Sequence, residues 1–326
     1  MKKFLLVMVL AVLFVGIVHA KTQITLYTSV PSAIVAEVEK AFEKANPDID
    51  VVVWRSGTSK VTAKILAEMK SGGIKADVLW TADPSYYLYL KEKGLLMKYI
   101  SPESDNIPAD FKDKDGYFVG TRIMSVVIAY NTNLLRKSQV VKSWEGLLSS
   151  KYSGSIVTAS PLYSGTNLVW LYSMIKLYGW DFLEELGDNG LTIVSSNKTV
   201  SQELANGSYK VAVVLDYMIR SLKASGSPVD LIYPEANNIL IWSPIGIITE
   251  TKQAEAAKRF VDFVISKEGQ EILVNYGSLI PVRSDVAMPA GAPKLEDLLK
   301  KSYKIDWYDL RESTDEIKDT FSDIFE

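Results

Sequence analysis

The sequence predicts an α/β fold built on a largely parallel sheet. Short runs of β-branched and aromatic residues alternate with helix-length amphipathic stretches from Lys21 onward. Helix start signals stand directly behind several of those runs, and the 326 residues contain no cysteine to staple a smaller core. Strands separated by helices of this length are joined by βαβ crossovers. Residues 23–27 read as the first strand, and 31–45 as a helix with Ala33, Val35, Val38 and Phe42 available for its apolar face. Residues 50–55 form the second strand, followed by a helix striped by Val61, Ile65, Leu66 and Met69. Residues 76–81 make the third strand, and Asp83-Pro84 is an N-cap and first-turn pair for the next helix. The polar stretch 101–116 is a loop, and the strand-like run 117–130 leaves this first unit. A second series follows, with strands near 155–158, 191–195 and 211–215 and helices near 165–178, 180–187, 199–205 and 217–224. Residues 238–242 and 245–248 read as a return strand pair. The remainder is helical at 254–265, 267–276 and in a C-terminal segment with Ile317, Phe321, Ile324 and Phe325 on one face.

The first twenty residues read as an export signal rather than as part of the fold. Lys2 and Lys3 form a basic start, 4–18 an apolar run, and Val18-His19-Ala20 a small-residue cleavage site. The run is short for a membrane anchor, so a soluble periplasmic chain is expected, with no cysteine for lipid attachment. Cleavage would remove His19, the one histidine. Residues 21–326 then carry neither imidazole nor thiol, which excludes Ser-His-Asp and Cys-His catalysis and zinc sites of the usual kind. The net charge moves from −3 to −5 with the loss of Lys2 and Lys3, which argues against nucleic-acid or anionic-membrane partners. Any anion must therefore be captured locally.

Ser-Gly-Thr occurs twice, at Ser56-Gly57-Thr58 and Ser164-Gly165-Thr166, each between a strand and a helix. A helix N-terminus offers unpaired N–H groups, glycine allows close approach, and hydroxyls add donors, so such a turn can hold an oxyanion. Each is also an ordinary turn with an N-cap. Ligands of open α/β sheets bind beyond the carboxyl ends of strands, where Thr28, Ser29 and Asp83 also fall. Arg55 stands beside the first turn and Ser160 ahead of the second. Asp216 and Tyr217 occupy a strand-to-helix junction, with Arg220 one turn on. Arg122 reads as a structural ion-pair partner. Tyr86 and Tyr87 lie inside a helix, and Trp80, Trp170 and Trp242 read as core, with Trp242 open to stacking on a ligand.

Residues 24–29, the helical 254–263 with Ser266-Lys267-Glu268-Gly269-Gln270-Glu271, and Ile280-Pro281-Val282-Arg283 resemble type II periplasmic binding proteins of ABC importers. Trp54-Arg55-Ser56-Gly57-Thr58 with residues 62–68 is similar to the 2-aminoethylphosphonate and organophosphate branches of the subfamily that also holds ferric-ion receptors. The resemblance implies a two-lobe fold with a hinge crossed twice and a ligand cleft between the lobes. Residues 21–122 and 245–326 would form lobe 1, and 123–244 lobe 2. It implies a monomeric receptor without cofactor that closes on a small anion, a phosphonate or organophosphate, and delivers it to a membrane permease. The expected ligand contacts are Thr28, Ser29, Arg55, Ser56, Gly57, Thr58, Asp83, Ser160, Ser164, Gly165, Thr166, Asp216 and Tyr217. Ferric receptors of the subfamily commonly show two adjacent tyrosines where this chain has Asp216-Tyr217-Met218. A ferric site would instead draw on Tyr27, Asp83, Asp216 and Tyr217. A carboxylate-dependent hydrolase or lyase is a third reading, with no recognisable catalytic constellation behind it.

Overall fold

Alternating strand and helix at the start of the chain fold as the sequence indicates. The computed structural model describes residues 21–325, so the expected export signal, residues 1–20, lies outside the described residues. Strand β1 (Thr22–Thr28) leads to α1 (Ser32–Ala45), β2 (Ile49–Arg55), α2 (Thr58–Lys70), β3 (Val78–Trp80) and α3 (Pro84–Glu92). Helix α1 buries Ile34, Val35, Val38 and Phe42. Ile34 takes the place expected for Ala33, because the branched chain removes more carbon from water. On α2 the buried line is Thr58, Val61, Ile65 and Glu68, while Leu66 lies on the flank, 37% exposed. Asp83 caps α3, accepting the Tyr86 backbone N–H, with Pro84 in the first turn. Tyr86 and Tyr87 are core residues of that helix.

After the loop, β4 (Val119–Asn131) is followed by β5 (Ile156–Ala159), α4 (Gly165–Asp188), β6 (Leu191–Val194), α5 (Asn197–Asn206), β7 (Val211–Leu215) and α6 (Asp216–Ala224). Helix α4 breaks at Gly179, whose φ of 81° is a left-handed conformation. That break matches the expected boundary between 178 and 180. Two strands complete this series, β8 (Val229–Ile232) and β9 (Ile239–Ile247). The sequence did not mark β8, which is four residues with one charge inside. The expected return pair at 238–242 and 245–248 is instead one continuous strand. Pro244 is tolerated within it because it faces Gly120 at a register shift between Gly120 and Arg122, where the ladder is already interrupted. Helices α7 (Ala254–Ile265) and α8 (Lys267–Gly277), β10 (Ile280–Pro281), α9 (Leu295–Lys300) and α10 (Trp307–Phe325) close the chain.

The sheet runs β2-β1-β3-β9-β4-β7-β5-β6, with β8 and β10 paired to β4. Its two ends are parallel, β2-β1-β3 and β7-β5-β6, as crossover connections require. They are joined through the antiparallel pair of β4 and β9, each buried along its whole length. Strand β9 meets β3 at residues 245–247, while β4 meets β7 at residues 126–130. Helix α10 packs on both α3 and α4. Arg311 pairs with Glu92 at 2.6 Å, and Asp309 accepts from Tyr172 at 2.7 Å and pairs with Lys176 at 2.8 Å.

Gly269 of the quoted 266–271 motif is required by space. A Cβ there would lie 2.1 Å from the Phe263 carbonyl oxygen and 2.8 Å from that of Val264. Both are backbone atoms and cannot yield as a side chain would. Gly269→Ala is expected to destabilise the fold by about 3 kcal/mol, read as a lowered urea midpoint at unchanged slope.

Candidate functional site

Strands β1, β2 and β3 end side by side, so the turns after them share one edge of the sheet. The Ser56 N–H donates to the Thr28 carbonyl at 3.1 Å, and the Ser29 N–H to that of Trp80 at 3.1 Å. The Thr28 hydroxyl donates to the Trp80 carbonyl at 2.7 Å and accepts from the Val30 N–H, so it is wholly engaged. The Ser29 hydroxyl accepts the Ala82 N–H at 3.2 Å. Gly57 is the N-cap of α2 and supplies no side-chain cap, which leaves the first-turn N–H groups of that helix open.

Both Ser-Gly-Thr turns meet across the cleft. A Cβ on Gly165 would lie 3.2 Å from the Thr58 methyl and 3.6 Å from the Ala82 carbonyl, and one on Gly57 would lie 3.4 Å from the Tyr163 carbonyl. Glycine at both places permits this approach of the two ends of the sheet. The turns differ in what they leave free. Ser164 caps α4 through the Asn167 N–H and shares its hydroxyl with Thr166 at 3.0 Å. Asn197, at the start of α5, donates to Ser164, Thr166 and Asn167 at 3.1, 3.1 and 2.7 Å. The second turn is thus largely satisfied within the protein. Ser160 is buried and accepts the Leu162 N–H at 3.2 Å. Asn197 was not singled out in the sequence, although it stands beside the Ser196 cap.

Arg122 departs most from expectation. The sequence points to a structural ion pair there, yet Arg122 forms none among the described residues. It sits 2% exposed on β4, with Nε and Nη1 lacking any hydrogen-bond partner. Burial, with the like charge of Arg55 added, pushes its guanidinium down to about 10, opposed by the Tyr217 phenol. Arg55, Arg122 and Tyr217 are therefore within electrostatic reach of one another. Arg55 is tethered by one bond from Nε to the Val30 carbonyl at 3.3 Å. Tyr217 is buried, and loss of hydration raises its pKa, so its O–H remains a neutral donor. A buried cation without a partner is costly, and with the exposed Arg55 nearby it draws an anion strongly. One signal was present in the sequence: Arg122 is the one charged residue in the apolar run 117–130.

Other expected contacts are committed elsewhere. Asp216 is fully buried and accepts from the Ser125 and Tyr217 N–H groups, from Arg220 at 2.7 Å and from the Tyr233 hydroxyl at 3.0 Å. Four bonds fill its acceptor capacity. Asp83 holds the Tyr86 N–H and the Ser85 hydroxyl, and burial raises its pKa. Tyr27 donates to Glu68 at 2.7 Å, beside Lys64 and Trp54. Of the four residues considered for ferric iron, only Tyr217 is uncommitted. No group of three or more acidic, histidine or cysteine side chains is placed to hold a metal among the described residues. Trp242 does not reach this site; it stacks on Phe118, with ring centroids 5.9 Å apart.

Comparison with known proteins agrees with this architecture. The family model for bacterial extracellular solute-binding protein matches residues 37–299. A probable ABC transporter periplasmic-binding protein of Sinorhizobium fredii, y4fP, is 23% identical over 79% of this chain and 74% of its own length. The periplasmic binding protein AfuA from Actinobacillus pleuropneumoniae, solved with fructose-6-phosphate, superposes with a TM-score of 0.83 at 25% identity, covering 94% of this chain and 99% of AfuA. Iron-bound HitA from Pseudomonas aeruginosa gives 0.81 at 24% identity, covering 93% of this chain and 99% of HitA. Among the described residues no helix is long and apolar enough to cross a membrane. With the match spanning most of its length and the sheet halves joined by two crossing strands, the chain belongs to the bacterial extracellular solute-binding proteins, as a two-lobe type II receptor of an ABC importer.

Proposed function

We propose that this receptor captures a small oxyanion, a phosphonate or phosphate ester, by hinge closure and delivers it to its permease. The observation that carries the reading is the Arg122 guanidinium, buried without a partner beside Arg55 and Tyr217. The open N-terminus of α2 lies three residues from Arg55 and adds backbone donors. Guanidinium forks suit the tetrahedral oxygens of a phosphoryl group. The chain acts as a receptor and not an enzyme, since residues 21–326 contain no histidine or cysteine and the two cleft carboxylates are engaged.

Residues 21–122 and 245–326 form one lobe and 123–244 the other, with export to the periplasm directed by residues 1–20. The contact between the two Ser-Gly-Thr turns supports closure of the cleft around the ligand. Gly165→Leu is expected to obstruct that contact, weakening ligand about ten- to a hundred-fold by isothermal titration.

Thermal melting against inorganic phosphate, methylphosphonate, a hexose phosphate, sulfate and ferric citrate tests the assignment. A phosphoryl ligand at 100 times its dissociation constant should stabilise the protein by about 2.7 kcal/mol. A shift with ferric iron alone, accompanied by a tyrosinate charge-transfer band, would overturn it in favour of an iron receptor.

A further inference from the structure

The cation pair adjoins a cavity of about 300 Å3 that the oxyanion reading leaves unexplained. One wall is Pro31 and Ile34 at the start of α1, and the other is Tyr217, Met218 and Leu222 on α6, with Tyr276 at the mouth. Two links place it next to the anion site. Tyr217 belongs to both, and Arg55 is tied to the carbonyl of Val30, immediately before Pro31.

Its lining offers little to a polar ligand. The Ser201 hydroxyl is already shared between the Asn197 carbonyl at 2.8 Å and the Met218 sulfur at 3.8 Å. Lys198 and Gln202 stand exposed at the rim. No carboxylate lines the cavity, and the nearest in sequence, Asp216, is neutralised by Arg220. A ligand ammonium would therefore be placed beside arginines with no counter-ion, and a sugar's several hydroxyls would lose water with only the Tyr217 and Ser221 hydroxyls to replace it. Carbon, by contrast, would gain from leaving water, and methionine and tyrosine adapt readily to its shape.

We infer that the ligand is an organophosphonate or phosphate ester whose organic part is an apolar alkyl or aryl group seated between Ile34 and Met218. This rests on the oxyanion reading of Arg122 and adds the chemical class of the substituent. It separates this receptor from ones that take a zwitterionic aminophosphonate or a hydroxylated sugar phosphate.

A homologous series measured by isothermal titration tests it: methyl-, ethyl-, butyl- and phenylphosphonate, with 2-aminoethylphosphonate and a hexose phosphate alongside. Affinity should rise about four-fold for each added methylene that enters the cavity. The aminoethyl compound should bind at least about ten-fold more weakly than ethylphosphonate, the loss expected of an unpaired ammonium. Met218→Ser should flatten the series, weakening butyl- and phenylphosphonate more than methylphosphonate. Leu222→Ser provides the same measurement should the first variant fold poorly. If methylphosphonate binds but the series is flat, or the aminoethyl or sugar compound binds best, the apolar assignment is overturned and the anion site stands. If no phosphonate or phosphate binds at all, the oxyanion reading itself fails.

Discussion

Arg122→Met is expected to make the free protein more stable and at the same time unable to bind its ligand. The side chain is 2% exposed, and two of its nitrogens make no hydrogen bond. Replacing a buried charged group by a hydrophobic one of similar volume commonly stabilises by about 1–4 kcal/mol. That corresponds to a rise in Tm of about 2–8 °C for a chain of this size. The ligand, meanwhile, loses a buried cation that has no ion-pair partner among the described residues. Removing one partner of a buried charge pair costs about 3–5 kcal/mol, so affinity should fall by more than a hundred-fold. Differential scanning calorimetry with and without ligand reads both effects. A residue kept only for folding would give the opposite pattern, a lower Tm and an intact ligand-induced shift.

Asp216→Ala should do the reverse, unfolding the protein more readily without directly removing a ligand contact. Asp216 joins the N-terminal turn of α6 to β4 through the Ser125 N–H, and it holds Arg220 and Tyr233 in place. Arg220 is itself 6% exposed and donates to the Ser278 carbonyl. Without its carboxylate it becomes a second unpaired buried cation. The expected loss is about 3–5 kcal/mol, seen as a lowered urea midpoint at unchanged slope. Asp216→Asn, which keeps one acceptor, should lose less. If Asp216→Ala left stability intact and abolished binding, Asp216 would be a ligand contact after all.

These two residues also show how far the sequence could be read. The placing of Thr28, Ser56 and Asp83 at strand ends follows from alternating strand and helix, which is local information. So does the break of α4 at Gly179, because only the 178–180 neighbourhood decides it. The pairing of Asp216 with Arg220 has helical spacing and was open to view, but the four-bond saturation of Asp216 depends on Ser125 and Tyr233 from other elements. Arg122 is harder still. Nothing in a sequence distinguishes a buried arginine with a carboxylate partner from one without, since the answer lies in what every neighbouring strand fails to supply. The same holds for β9, whose continuity through Pro244 is permitted by Gly120, more than a hundred positions earlier in the chain. The first Ser-Gly-Thr turn kept its hydroxyls and the second spent its own on Asn197, a contact about thirty positions away in the chain.

Residues 21–326 contain no histidine, and this gives the site an unusual constancy. Burial pushes the Arg122 guanidinium down to about 10 and raises the Tyr217 phenol above its ordinary value. Neither group changes charge between about pH 5 and 8, the window that histidine would otherwise occupy. Arg122 and Tyr217 thus keep fixed charge states against which a ligand's own protonation can be read. A phosphoryl group passing from monoanion to dianion in that window should bind more tightly as pH rises, and the inflection will lie at the ligand's second pKa. Sulfate, already fully ionised, should give a flat profile over the same range. An affinity titration against pH therefore becomes a chemical fingerprint of whatever molecule the receptor takes up.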